Sequence, residues 1–245
     1  MLRENQYVLL NKVIKYLKLF YYLFYRPKIF FPKKNYSIFG EDKFISNYFK
    51  NKSNGLYIDV GCYHPLEGNN THLLYKKGWS GINIDINLYS IELFNFLRKN
   101  DINIHSGISQ KKNSLTMYYR KEINMLNTLD KNIAKIHFRN GYKKKKIQVN
   151  TLNFFISKYF KKQKKIDFIN IDVEGRELDV LKSLNFKKYE PKLICIEIHN
   201  TKKLYDTNYK YLKSNSIYKY LLNKNYKVVW KKKYSFIFKR DDKKN

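Results

Sequence analysis

The chain has 245 residues and a formal charge of +30, from 50 Lys and Arg against 20 Asp and Glu. Its hydrophobic content of 43% and aromatic content of 17% exclude a disordered polycation, while 9 Gly and 4 Pro exclude collagen-like and Pro-rich classes. That length suits one domain with a short appendage and a sizeable core.

The charge invites a nucleic-acid or anionic-surface reading. Yet Lys supplies 43 of the 50 cations and Arg only 7, and Ala134 is the one alanine. Lys, Asn, Ile, Tyr and Phe share AT-rich codons, so compositional drift accounts for the pattern without a selected partner. Arg, the better reader of phosphate and guanine, is scarce.

Near the N-terminus Leu10, Ile14, Leu17, Tyr21 and Phe24 recur at helical spacing among lysines. A helix over residues 7–26 packs on the domain or on a second chain, or lies in a membrane interface with Lys at the headgroups. Pro27 and Pro32 end it, dividing the chain into an appendage (1–35) and a main domain (36–245). Apolar Leu19 to Tyr25 is too short to span a bilayer, and no signal-peptide cleavage site follows. Cys62 and Cys195 stand in apolar runs and form no disulfide framework. A cytoplasmic protein is expected, peripheral at the inner membrane face if the helix binds lipid.

From residue 36 strands alternate with helices. Strands are expected at Leu56–Val60, Gly81–Asp85, Ile102–Ile104, Ile166–Asp172 and Lys192–Ile198. Helices are expected around Asn70–Lys77, Ser90–Arg98, Arg176–Leu184 and Ser214–Leu222. Ser114–Tyr119 and Lys146–Val149 read as short strands around a polar insert, with Lys143 to Lys146 as a solvated loop. Tyr226–Trp230 and Tyr234–Phe238 read as a terminal hairpin turning through three lysines. The alternation predicts an α/β fold: a mostly parallel sheet with helices on both faces and one antiparallel strand inserted near its edge.

In such a sheet ligands bind beyond the C-terminal strand ends. Asp59 and Gly61 end the first strand, and Asp85 ends the second, where a carboxylate can accept from both hydroxyls of a ribose. Bulky Tyr63 stands where a dinucleotide loop needs its second glycine, which argues against a pyrophosphate. A sulfonium cofactor without phosphate suits acidic strand ends better.

The stretches YSIFGED (36–42), LYIDVGCYHP (56–65), NNT (69–71), GWSGINID (78–85), DINIHSGIS (101–109), NTL (127–129), IDFINIDVEGRELDVLKS (166–183) and PKLICIEIHN (191–200) resemble the FkbM-type S-adenosylmethionine-dependent methyltransferases in order and spacing. The resemblance implies a Rossmann-like class I methyltransferase fold with a seven-stranded sheet. It implies S-adenosylmethionine as cofactor, with Asp59 and Gly61 at its methionine part and Asp85 on the ribose. Tyr63, His64, Asn70 and Thr71 would shape the surrounding loop, and Ser106, Gly107 and Ile108 would contact the adenine. Glu41 would cap a helix or reach the cofactor tail.

Methyl transfer to a hydroxyl also needs in-line positioning and a general base. Asp172, Glu174 and His199 are the candidates, each with a bland alternative: a structural ligand, a helix cap and a surface histidine. His64 reads as a loop organiser. A metal held by Asp172, Glu174 and Glu197 is conceivable, but Glu197 alternates inside a strand and no His/Cys cluster accompanies it, so no metal is expected. The leading expectation is O-methylation of a small-molecule or glycan hydroxyl on a sugar, polysaccharide or glycolipid. A nucleic-acid methyltransferase or binder is the runner-up, disfavoured because the acidic stretch Asp172–Gly175 would repel phosphate. A membrane-associated module without catalysis, and a dehydrogenase, follow.

Overall fold

A computed structural model describes residues 12–25, 35–121, 123–160, 165–199 and 209–241. Its main sheet has seven strands in the order β3-β2-β1-β7-β8-β10-β9. These are β1 (Leu56–Val60), β2 (Ser80–Asp85), β3 (Ile102–His105), β7 (Phe168–Ile171), β8 (Leu193–Glu197), β9 (Tyr226–Lys232) and β10 (Ser235–Arg240). β3 through β8 run parallel, and β10 pairs antiparallel with both β8 and β9. The first five strands thus follow the doubly wound order, which leaves a crevice where the winding reverses beside β1.

The strands are continuous apolar runs because both faces are covered. Alternate residues feed two cores. Ile58, Val60, Ile82, Ile84, Ile169, Ile171, Ile194 and Ile196 enter the larger one, while Tyr57, Phe168, Leu193 and Cys195 enter the other. Both cysteines are buried and free. Helices start on side-chain caps: Asn87 accepts from the Tyr89 amide, Asp130 from those of Asn132 and Ile133, and Thr151 from that of Phe154.

One row of the sheet is polar. Asn103, Asn83, Asp59, Asn170 and Cys195 are cross-strand neighbours in register. Asn83 donates to Asn103 (2.8 Å), Asn170 to Asp59 (2.9 Å) and Asn70 to Asn170 (2.9 Å). The rungs hydrogen-bond one another, and only Asn83 Oδ1 in this row is left without a partner among the described residues.

Two expectations about lysines are corrected. Lys143 to Lys146 is not a loop: it belongs to β6 (Lys143–Asn150), paired antiparallel with β5 (Asn113–Tyr119) and parallel with β4 (Gly107–Ile108) in a second, three-stranded sheet. Exposure of all four lysines makes a polar run compatible with a strand, and Lys145 lies over the ring of Tyr119. Likewise Lys231 and Lys232 complete β9, so the hairpin turns at Lys233, which takes φ +52°.

The N-terminal helix over residues 12–20 runs into a π-helical turn, Tyr21–Tyr25. It packs through Leu19 and Leu23 onto Tyr63, Leu93 and Ile123. Lys15 pairs with Glu92 (2.8 Å) and Lys18 lies over the Tyr89 ring. The expected stripe is therefore the wrong face: Ile14, Leu17 and Tyr21 are exposed. Leu10, Pro27 and Pro32 lie outside the described residues, as does the side chain of Phe24.

Candidate active site

The crevice at the C-terminal ends of β1, β2 and β7 holds a narrow slot. It is walled by Val60, Gly61, Tyr63, Ile84–Ile86, Ser106–Ile108 and Asn127, with Asp172 at one end. Asp85 ends β2 and is buried. Its Oδ2 accepts from the Tyr63 amide (2.8 Å) and its Oδ1 from the Asn87 amide (2.7 Å). Burial raises its carboxyl from 3.8 to about 6, against the pull of those two amides. Each oxygen keeps a lone pair for a ligand hydroxyl.

Gly61 takes φ +80°, and a Cβ there would lie 1.6 Å from the Asp172 carbonyl oxygen. The close approach that glycine permits is thus first of all to the neighbouring strand's backbone, which brings Asp172 beside the slot. Tyr63, also at positive φ, turns its side chain onto the N-terminal helix and its amide onto Asp85. Ser106, Gly107 and Ile108 line the slot.

Asp59, His64, Asn70 and Thr71 line neither this slot nor the cavity beside it. They lie behind the wall. Asp59 accepts from Asn170 (2.9 Å), and the Thr71 hydroxyl is 3.0 Å from its Oδ2. Burial raises the Asp59 carboxyl, and those same two partners pull it down. His64 organises its loop: Nδ1 accepts from the Leu66 and Glu67 amides (3.1 Å each), and Nε2 faces the Tyr22 carbonyl (3.1 Å). Glu41 is the first residue of its helix, which has no side-chain cap, and its Oε2 accepts from the Phe39 amide just ahead of it (2.8 Å).

Beneath the same loop lies a group that sequence reasoning missed. Arg98 is fully buried and donates to the Pro65 carbonyl (2.9 Å), Asn69 Oδ1 (3.0 Å) and the Tyr57 hydroxyl (3.1 Å). Asp101, 3.8 Å from the guanidinium, accepts in turn from the Tyr57 hydroxyl and from Asn83 (3.0 Å). The order R-x-x-D at a helix end was the signal available, and it is a weak one.

Beyond Asp172 the slot meets a wider cavity of about 520 Å³. Ile38, Leu126, Tyr234, Arg120, Arg139 and His137 line it around a floor of Asp172, Glu174, Glu197 and His199. The three expected catalytic residues are therefore brought together. Asp172 follows β7 and borders both cavities. Glu174 takes φ +55°, a conformation unusual for a side-chain-bearing residue, and His137 Nε2 lies 3.0 Å from its Oε2. His199 lies two residues past the end of β8, with Nε2 2.6 Å from Glu197 Oε2 and its ring against Tyr234. Its Nδ1 is buried and has no hydrogen-bond partner among the described residues.

Glu197 stands at the last position of its strand, not inside it, so it reaches this floor. Carboxylate oxygens of Asp172, Glu174 and Glu197 all lie within 4.8 Å of one another, a spacing that could hold a divalent cation. Burial and then mutual repulsion raise Asp172 and Glu197 well above the ordinary carboxyl range.

Fold and site together define an α/β domain built to hold ligands at the C-terminal ends of its parallel strands. The particular family follows from comparison. The model of the methyltransferase FkbM domain matches residues 59–228, most of the chain, and the protein belongs to that family. It is a methyltransferase. Among solved structures, a candidate RNA methyltransferase from Pyrococcus horikoshii is similar at 9% identity and a TM-score of 0.42, over 86% of this chain and 91% of that one. No curated protein matches the chain.

Proposed function

We propose that the protein is a Rossmann-like S-adenosylmethionine-dependent O-methyltransferase acting on a neutral hydroxyl of a sugar, polysaccharide or glycolipid. The observation that carries the reading is the His199–Glu197 pair: one imidazole nitrogen oriented by a carboxylate, the other buried and without a partner among the described residues, in a side chain that lines the acceptor-sized cavity. A base held in one tautomer by a third group is the arrangement that hydroxyl activation requires.

The slot suits the cofactor. Asp85 has lone pairs for two ribose hydroxyls, and Ile86, Gly107 and Ile108 give the slot an apolar wall for a base. Bound S-adenosylmethionine would supply an electrophilic methyl group at the Asp172 end. His199 Nδ1 takes the acceptor proton as oxygen attacks, and Glu197 steadies the resulting imidazolium. Asp172, at the junction of the two cavities, orients the hydroxyl.

A labelled-methyl transfer screen against glycans, glycolipids and RNA tests this. His199→Gln is expected to lower kcat by about 10²–10⁴-fold while leaving S-adenosylhomocysteine affinity unchanged. Transfer to RNA alone, or full activity of the variant, would refute the reading.

We infer also that the outward face of the N-terminal helix meets an anionic membrane from the cytoplasmic side. Tyr16 (67% exposed), Leu17 (65%) and Val13 (47%) form its apolar part, and the net charge of +30 supplies the attraction. Among the described residues no helix is long and apolar enough to cross a membrane. Vesicles containing phosphatidylglycerol should float with the wild type and not with Tyr16→Glu/Leu17→Glu. Equal flotation removes the idea.

A further inference from the structure

The wider cavity carries two cations that the proposed chemistry does not use. Arg120 and Arg139 line it together with the acidic floor, and both are exposed. Arg98, Arg176 and Arg240 each face a carboxylate, at 3.8, 2.6 and 2.7 Å. Arg120 and Arg139 face none among the described residues. Two of the floor acids have partners of their own, Glu174 with His137 at 3.0 Å and Glu197 with His199 at 2.6 Å. The two guanidinium groups are therefore the cavity's uncommitted cations.

The segments that carry them are tied to one another. Arg120 directly follows β5, and Arg139 lies two residues past the helix Lys131–His137. Thr128, just ahead of that helix, exchanges both backbone hydrogen bonds with Tyr118 (2.8 and 3.1 Å). The Tyr118 ring also meets that of Tyr142 edge-on. Strand end and helix end are thus held together, and both arginines reach one cavity.

Water satisfies an exposed cation, so exposure alone assigns nothing. Placement and residue type do. Two cations on one concave wall focus a positive potential into it. Both are Arg, in a chain that draws 43 of its 50 cations from Lys. A guanidinium presents a planar fork that matches the paired oxygens of a carboxylate or phosphate. A second cavity, of about 490 Å³, shares Arg120, Leu126 and His137 with the first and is lined by Tyr21 and Tyr22 of the N-terminal helix. Tyrosine rings suit the C–H face of a further sugar.

We propose that the acceptor is an acidic oligosaccharide, held by Arg120 and Arg139 through a carboxylate or phosphate group while its reacting hydroxyl lies at His199. The inference deepens the proposed O-methyltransferase reading and rests on it.

The test is labelled-methyl transfer by the full chain to uronate-bearing and phosphate-bearing oligosaccharides, each beside its carboxyl-reduced or dephosphorylated counterpart. The two arms distinguish the sources of the anion. Wild type should favour the acidic member of a pair by about tenfold or more in kcat/KM. Arg120→Gln/Arg139→Gln should raise KM for the acidic member about tenfold with kcat within about twofold, and should leave the neutral member unchanged. Arg120→Lys/Arg139→Lys keeps the charge without the fork and should recover part of the preference. Melting temperature and S-adenosylhomocysteine affinity should match wild type in all variants, because neither arginine has a protein partner to lose. Equal transfer to acidic and neutral members, or an unchanged preference in the Gln variant, overturns the proposal and leaves the O-methyltransferase reading standing. Arginine-dependent methylation of RNA assigns the pair to nucleic-acid phosphate and overturns it too. Transfer to no oligosaccharide removes the underlying reading and the proposal with it.

Discussion

Asp85 gives the sharpest pH test. Its carboxyl is raised from 3.8 to about 6, chiefly by burial. At about 1.4 kcal/mol per pH unit this is about 3 kcal/mol of preference for the neutral form in the empty protein. A raised carboxyl stabilises the fold fully below about pH 4, and that contribution is lost as pH rises through about 6. Ligand binding has the opposite sign. Ribose hydroxyls donate, so they favour the ionised carboxylate, and affinity is full above about pH 7. If only the ionised form binds, affinity falls about tenfold between pH 7 and pH 5. Calorimetric titration with S-adenosylhomocysteine from pH 5 to 8 measures this. Asp85→Asn should bind weakly throughout and show no slope, because its amide can accept only one of the two backbone N–H groups that Asp85 now satisfies. A flat wild-type profile, or the same slope in the variant, would refute the assignment of Asp85 to the ribose.

Two further changes probe the frame around the site. Gly61→Ala would drive a Cβ to 1.6 Å from the Asp172 carbonyl at φ +80°, so the lost stability should exceed the roughly 1–3 kcal/mol of positive φ alone, read as a fall in the urea midpoint. Arg98→Met leaves Asp101 buried without its countercharge and should cost about 3–5 kcal/mol, lowering Tm by roughly 10 °C or more in thermal circular dichroism. A shift below about 2 °C would show that the pair contributes nothing.

The sequence by itself determined the strands and the residues at their ends. LYIDV, FINI and LICIE are apolar runs that only a doubly covered sheet can bury, and Asp85, Asp172 and Glu174 stand where such strands stop. Local pattern was enough because strand burial and strand ends are local properties. It misjudged Lys143 to Lys146, where tertiary pairing overrides a charge run, and the N-terminal helix, whose buried face is chosen by the surface it meets.

Tertiary structure alone decided which side of the wall each residue faces. Asp59, Asn70 and Thr71 sit in the motif stretches but belong to a cross-strand ladder behind the slot, because register places Asp59 beside Asn170. Glu197 and His199 pair with one another, and Asn127, in the NTL stretch, lines the slot. Spacing along a chain fixes periodicity, but hydrogen-bond partners across 40 or 100 residues are fixed only by strand order and packing, and those decide which polar groups are satisfied and which are left for a ligand.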